Sequence, residues 1–296
     1  MRIHYVIEQV VFNMRWRGGR RSDNVEDRRG IGVRQGVIGG GIGILLILAI
    51  GLLTGADPGA LITEIAAESG SLDSTPVVLT AAENESADFV SVVLADTEDT
   101  WDSVFQQNGM VYQQPRLVLF KGSVDSACGY AQSAMGPFYC PGDQKVYIDL
   151  DFYRELKDTL GAPGDFAQAY VIAHEVGHHV QNLVGTSGEV HRLQSQSDEV
   201  TANRYSVMLE LQADCYAGVW AYHADTQRQI IEAGDIEEAM NAAAKIGDDA
   251  LQKQSQGYVV PDSFTHGTSA QRMKWFNAGY ATGDTNSCDT FNAVVL

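Results

Sequence analysis

Two histidines four residues apart with a glutamate beside the first, in the run His174-Glu175-Val176-Gly177-His178, are the residues of this 296-residue chain best suited to do chemistry. On a helix, positions four apart point nearly the same way, so the imidazoles of His174 and His178 can grip one metal ion. Glu175 lies about 100° further round the axis, where its carboxylate can reach a water on that ion without ligating the ion itself. Zinc lowers the pKa of a coordinated water towards about 7, and Glu175 can take the proton as that water attacks a peptide carbonyl. Gly177 leaves room beside the metal-facing side of such a helix. A catalytic zinc holds three protein ligands and keeps one position open. The HExxHxxGxxH pattern needs glycine at position 181 and histidine at 184, but the chain has Gln181 and Val184, so the third ligand comes from elsewhere.

The best candidate for that ligand is Glu210 in LELQADCYAGVW, with Asp214 one turn later on the same predicted helix. Asp214 is suited to accept the free N–H of a ligand histidine and so fix its tautomer. Leu209, Leu211, Ala213 and Tyr216 flank the two carboxylates, which argues against a solvated face, because burying unpaired charge there is costly. The other histidines rank lower. His179 sits about 140° from His174 on the helix and fits a packing or surface role, and His191 and His223 have no partner pattern. His266, in SFTHGTSAQR, has two readings: a donor to the oxyanion of the tetrahedral intermediate, or a turn histidine bonded to backbone.

These residues need elements to position them. Pro163, Gly164 and Asp165 punctuate the chain, Asp165 is a suitable N-cap, and an amphipathic run then extends to Leu183 with Gly185 as the stop. A helix is predicted over 87–107 from the spacing of Phe89, Val92, Val93, Trp101, Val104 and Phe105. A second long helix is predicted over 200–223. A third begins at Asp235, where Glu238 completes a capping box, and a short one covers 269–278. Residues 116–120 and 145–150 read as strands, the latter as an edge along which an extended peptide could pair. Several helices, few strands and no βαβ alternation predict an α+β fold, mainly helical with a small sheet.

The formal charge of −18 is unevenly spread: residues 1–35 carry eight Arg and four acidic residues, net +4, leaving −22 on the remainder. A body that acidic repels phosphate backbones, so nucleic acid is not an expected partner. Residues 36–56 form a 21-residue run without a charge, long enough at 1.5 Å per residue to cross a bilayer core of about 30 Å. With seven arginines just before it, the positive-inside rule places residues 1–35 in the cytoplasm and a domain at 85–296 outside, joined by one transmembrane helix and a linker at 57–84. A single-pass membrane location follows, with the N-terminus cytoplasmic. A cleaved signal peptide or a glycine-rich core helix are the rival readings of the run, and its glycines hint at homo-oligomers formed through it. The natural start is Met1 or Met14. Cys128, Cys140, Cys215 and Cys288 contain no CxxC spacing. In an oxidising compartment they predict two disulfides, favoured as Cys128 with Cys140 and Cys215 with Cys288, against four buried thiols.

Five segments together resemble the bacterial neutral zinc metallopeptidases, single-pass membrane proteins of the gluzincin-like set. They are ADFVSVVLADTEDTW, SACGYAQSAMGPFYCPGDQKVYIDLDFY, GAPGDFAQAYVIAHEVGHHVQNLVG, LELQADCYAGVWAYHA and FTHGTSAQRMKWF. The resemblance covers nearly everything from residue 86 onward and the Arg-rich start at Met14. It implies a zincin-like peptidase body with His174, His178 and Glu210 on Zn2+, Glu175 as general base, and a peptide or protein substrate. Two rival functions are a zinc-stabilised binding protein without turnover and a membrane scaffold with a structural metal. The intact Glu175 and a three-ligand set, where structural sites use four, favour the enzyme.

Overall fold

The computed structural model of the chain describes residues 14–30, 79–132, 136–294 and 296. The apolar run at 36–56, with the membrane crossing and self-association expected of it, lies outside the described residues. So does most of the linker expected at 57–84. Among the described residues no helix is long and apolar enough to cross a membrane. The chain divides into a unit of residues 28–80 and a unit formed by Met1–Asp27 with Ala81–Leu296, and every element below belongs to the latter.

One sheet has the order β1 (Val25–Asp27), β2 (Arg116–Phe120), β6 (Lys145–Asp149), β5 (Phe138–Cys140). The first three strands are parallel and β5 is antiparallel to β6. A separate hairpin joins β3 (Ser123–Ser126) to β4 (Gly129–Gln132). The expected strands at 116–120 and 145–150 are those buried on both faces: β2 reads RLVLF and β6 reads KVYID, the near-continuous pattern of central strands. β6 is therefore not the edge that the sequence suggested. It pairs with β2 on one side and β5 on the other, and the three-residue β5, too short to betray itself by alternation, forms the end of the sheet. The Cys128–Cys140 disulfide ties β5 back to the hairpin.

Mixed helices and a small sheet bear out the α+β reading. The long helices are α1 (Ala81–Gln107), α3 (Asp165–Leu183), α5 (Glu199–Thr226) and α8 (Ser269–Thr282). Between them stand α2 (Asp151–Asp158), α4 (Thr186–Gln194), α6 (Asp235–Lys245) and α7 (Asp248–Gln256). α3 is at the centre, with Phe166, Ala169, Tyr170, Ile172 and Val176 all at 0% exposure. α5 and α8 cross at two glycines: a Cβ built on Gly218 would lie 2.0 Å from the Phe276 carbonyl oxygen, and one on Gly279 would lie 2.0 Å from that of Cys215. The second disulfide, Cys215–Cys288, closes the same crossing.

The caps differ from expectation in one instructive place. α8 has a full capping box between Thr268 and Gln271, but α6 starts after Gly234 with no side-chain cap. Glu238, expected to complete that box, instead accepts from the Phe166 N–H at 3.1 Å and so satisfies an orphan donor of α3.

The N-terminal segment also departs from the expected division at residues 35 and 85. Met14 and Trp16 are buried in the same core as α1 and α3, and β1 pairs with β2. Arg20 pairs with Glu98 and Asp99, Arg21 with Asp88, Arg17 with Glu85 and Arg15 with Glu232. β1 and β2 are hydrogen-bonded neighbours, so residues 25–27 and 116–120 belong to one sheet. Four of the arginines read as an orientation signal are counter-charges for the acidic body.

The glycine crossing gives a direct test. Gly218→Ala forces backbone against backbone, and denaturant unfolding should show a loss of about 1–3 kcal/mol or more.

Candidate metal centre

α3 presents His174 and His178 to α5, which carries Glu210. A Cβ on Gly177 would sit 3.0 Å from the Ala213 carbonyl oxygen and 3.2 Å from its Cα, so what this glycine accommodates is the backbone of α5. The two helices thereby come close enough for short side chains to meet. Glu210 Oε2 lies 3.1 Å from His174 Nε2, and Glu210 Oε1 lies 3.3 Å from His178 Nε2. One donor atom from each of the three residues lies within 4.8 Å of the others.

The residues fit a zinc ion. Ligand atoms at 2.0–2.1 Å from zinc in a tetrahedral arrangement stand about 3.3 Å apart, close to the separations above. The tautomers fit as well. His174 Nδ1 is 2.8 Å from Asp214 Oδ1, a carboxylate that can only accept, so Nδ1 carries the proton. His178 Nδ1 is 2.9 Å from Gln181 Oε1. The Gln181 amide donates to the Leu209 carbonyl and to Gln212 Oε1, which leaves its oxygen as the acceptor for His178. Both rings thus turn Nε2 towards Glu210.

Electrostatics bind the group together. Burial alone would lower His174, but the Asp214 charge and the hydrogen bonds that the ring donates to Asp214 and Glu210 outweigh it and raise the ring to about 10. His178 is raised too, against its burial, by Glu210. Glu210 and Asp214 are buried, which opposes ionisation, yet the histidines hold Glu210 well below its usual range, and Arg272 with His174 holds Asp214 at about 2. Such a donor set takes up protons or a cation in competition.

Arg272 carries a role that the sequence reading missed. It lies on α8, 2% exposed, and grips Asp214 in two bonds, Nε to Oδ2 at 2.8 Å and Nη2 to Oδ1 at 2.9 Å. Its Nη2 also donates to the Tyr170 hydroxyl at 3.2 Å, and that hydroxyl donates to Asp214 Oδ1. An arginine amid SAQRMKWF gives no sign of burial by itself; only the crossing of α8 over α5 brings it to Asp214. Gln181 was visible three residues after His178 on the same helix, but its value as a tautomer lock depends on α5.

The centre opens on a cleft of about 830 Å³. Glu175 lines it, and among the described residues its carboxylate has no hydrogen-bond partner. His266 lies on the wall, half-exposed, in a turn held by Asp248: the N–H groups of Thr265, His266 and Gly267 all donate to Asp248 Oδ2, at 2.8, 2.6 and 3.0 Å. The His266 ring is raised in pKa, first by its hydrogen bond to Asp248. β5 borders the cleft with Phe138 and Tyr139, and His191 lines it as well. His179 packs, as expected: it stands 3.1 Å from the Tyr139 hydroxyl and bonds the Gln113 carbonyl, fixing β5 against α3. His223 donates to the Gly283 carbonyl, away from the cleft.

Residues 14–291 match the family described as "Putative neutral zinc metallopeptidase". The chain belongs to this family. The chain is similar to "Uncharacterized protein YpfJ" of Escherichia coli strain K12, 52% identical over 287 residues that cover 94% of this chain and 99% of that protein. "Uncharacterized protein Rv2575" of Mycobacterium tuberculosis strain H37Rv is 46% identical over 210 residues, 68% of this chain and 70% of that protein. No solved structure matches the chain. The zinc metallopeptidase name agrees with the donor set described above.

Removing the buried arginine should separate its role from simple packing. Arg272→Ala leaves Asp214 charged and buried without its guanidinium partner, and chelator competition should show zinc affinity reduced roughly 10–100-fold. Denaturant unfolding should register a loss of about 3–5 kcal/mol for the broken buried pair.

Proposed function

We propose that the chain is a zinc-dependent peptidase that hydrolyses peptide bonds with Glu175 as the general base. The observation that carries this reading is the pairing of a three-donor set, His174, His178 and Glu210, with the Glu175 carboxylate, which has no hydrogen-bond partner among the described residues, on the wall of the same open cleft. Zinc held there supplies Lewis acidity that acidifies a water and polarises a carbonyl. Asp214 and Gln181 keep the two imidazoles in one tautomer, with Nε2 directed inward. Glu175 takes the proton of the attacking water and returns it to the leaving amine.

The substrate is a peptide in extended form. β5 is an edge strand beside the cleft, so its free backbone groups can pair with a peptide while Phe138 and Tyr139 meet apolar side chains. This transfers to β5 the role first expected of 145–150. His266, on the wall of the cleft and tethered through Asp248, is placed in this reading to donate to the oxyanion that forms on the carbonyl.

The uncharged run at 36–56 supports attachment to a bilayer, and two disulfides support an oxidising, extracytoplasmic compartment for the body. Residues 14–27 share that compartment in this reading, because they share the sheet.

Three outcomes follow. Glu175→Gln should keep one zinc per chain by metal analysis while peptide hydrolysis falls at least about 100-fold; equal turnover would remove the mechanism. Chelation of the metal should abolish hydrolysis, and zinc should restore it. Cysteines introduced singly as Asp23→Cys and Val111→Cys, both at exposed positions, should react alike with a membrane-impermeant thiol reagent on intact cells. Labelling of one alone would separate the two segments.

A further inference from the structure

At the N-terminal end of α3, remote from the metal centre, one carboxylate oxygen from each of Asp165, Asp235 and Glu238 lies within 4.8 Å of the other two. Asp235 is 0% exposed. Its Oδ2 accepts from the Glu232 N–H at 2.8 Å, but its Oδ1, also buried, has no hydrogen-bond partner among the described residues. Burial, reinforced by the mutual repulsion of these carboxylates, pushes Asp235 to about 6 and Glu238 to about 7, and burial raises Asp165 as well. Among the described residues, the other charges near them supply no direct counter-ion. Arg15 pairs with Glu232, Arg17 pairs with Glu85 and reaches Asp165 only through its field, and Glu237 adds a further negative charge.

The groups that do point at these carboxylates are N–H donors. Phe166 N donates to Glu238 at 3.1 Å, and Met14 N donates to Asp165 Oδ1 at 3.3 Å. The Met14 nitrogen is held in place from both directions, since its side chain is 3% exposed in the core and the next N–H, of Arg15, donates to the Ile230 carbonyl at 2.8 Å. A peptide nitrogen at that spot offers one N–H and no charge. A free α-amine offers three N–H bonds and a full positive charge at neutral pH. The match to the family begins at this same residue.

We propose that the working chain starts at Met14 and that its α-ammonium group is the cation of the Asp165, Asp235 and Glu238 pocket, pinning the N-terminal segment to the base of α3. A divalent ion suits the pocket less well. Calcium takes six to eight oxygens, whereas the partners here are N–H groups at the positive end of a helix.

The test compares chains 1–296 and 14–296, each purified in full, with mass spectrometry verifying an unmodified Met14 at the start of the shorter. At pH 7 the shorter chain should melt several degrees higher, and the gap should close when both carry Asp235→Asn with Glu238→Gln. The pH dependence adds a signature. In the longer chain, carboxylates with raised folded-state pKa stabilise below their unfolded values near 4, and that contribution is lost as pH rises through about 6 to 7. The shorter chain should hold its melting temperature across this window and lose it only as the amine deprotonates. Should the double variant fail to fold, acetylation decides: the α-amine of folded 14–296 should react at least tenfold more slowly than in denaturant. Equal melting of the two chains, an amine that reacts freely in the folded state, or calcium alone raising the longer chain to match the shorter would each overturn the assignment.

Discussion

Asp214 is a fully buried carboxylate on which the whole centre turns. A charge at that depth persists only when matched and hydrogen-bonded on every side. Here it is met by the two parallel bonds of Arg272, the Tyr170 hydroxyl and the Nδ1–H of His174. Three helices are thereby committed to one another: α3 through Tyr170 and His174, α5 through Asp214, and α8 through Arg272. The direction of His174 Nε2 is a consequence of that buried cluster. The glycines at the α5–α8 crossing and the Cys215–Cys288 bridge bring the arginine within reach.

The second constraint is charge distributed along the chain. An acidic body of net −22 would repel itself and dock poorly with another acidic element. Its own first arginines, at 15, 17, 20 and 21, lie along α1 and beside α6, where Glu85, Asp88, Glu98, Asp99 and Glu232 face them. The exposed pairs among them, such as Arg17 with Glu85 and Arg21 with Asp88, each contribute little. The anchoring comes from the strand hydrogen bonds of β1 and the burial of Met14 and Trp16.

Much of the centre was legible in the sequence for local reasons. A spacing of four on a helix fixes the relation of His174 to His178, and a spacing of four on the next helix ties Asp214 to Glu210. Neither needs knowledge of the fold. The long helices and the two central strands were equally plain, because burial of one face or of both leaves a period in the apolar residues. The short elements, α2, α4, α7, β3, β4 and β5, run for only three to nine residues each, too few to stand apart from loops by pattern alone. Glu238 shows how a correct local motif can be redirected: its spacing suits a cap on its own helix, but a nearby helix start with an unsatisfied N–H competes for the same carboxylate.

The sequence by itself determined the chemistry available, meaning two imidazoles and a base on one helix, a carboxylate pair on another, and four cysteines to be joined. Tertiary structure alone decided which strand borders the cleft, that Arg272 would be the counter-charge of Asp214, and that residues 14–27 belong to the same body. The reason is physical. Periodicity and capping act over a few residues of chain, whereas pairing of a buried charge or of a strand edge is settled by whichever distant segment arrives to satisfy it.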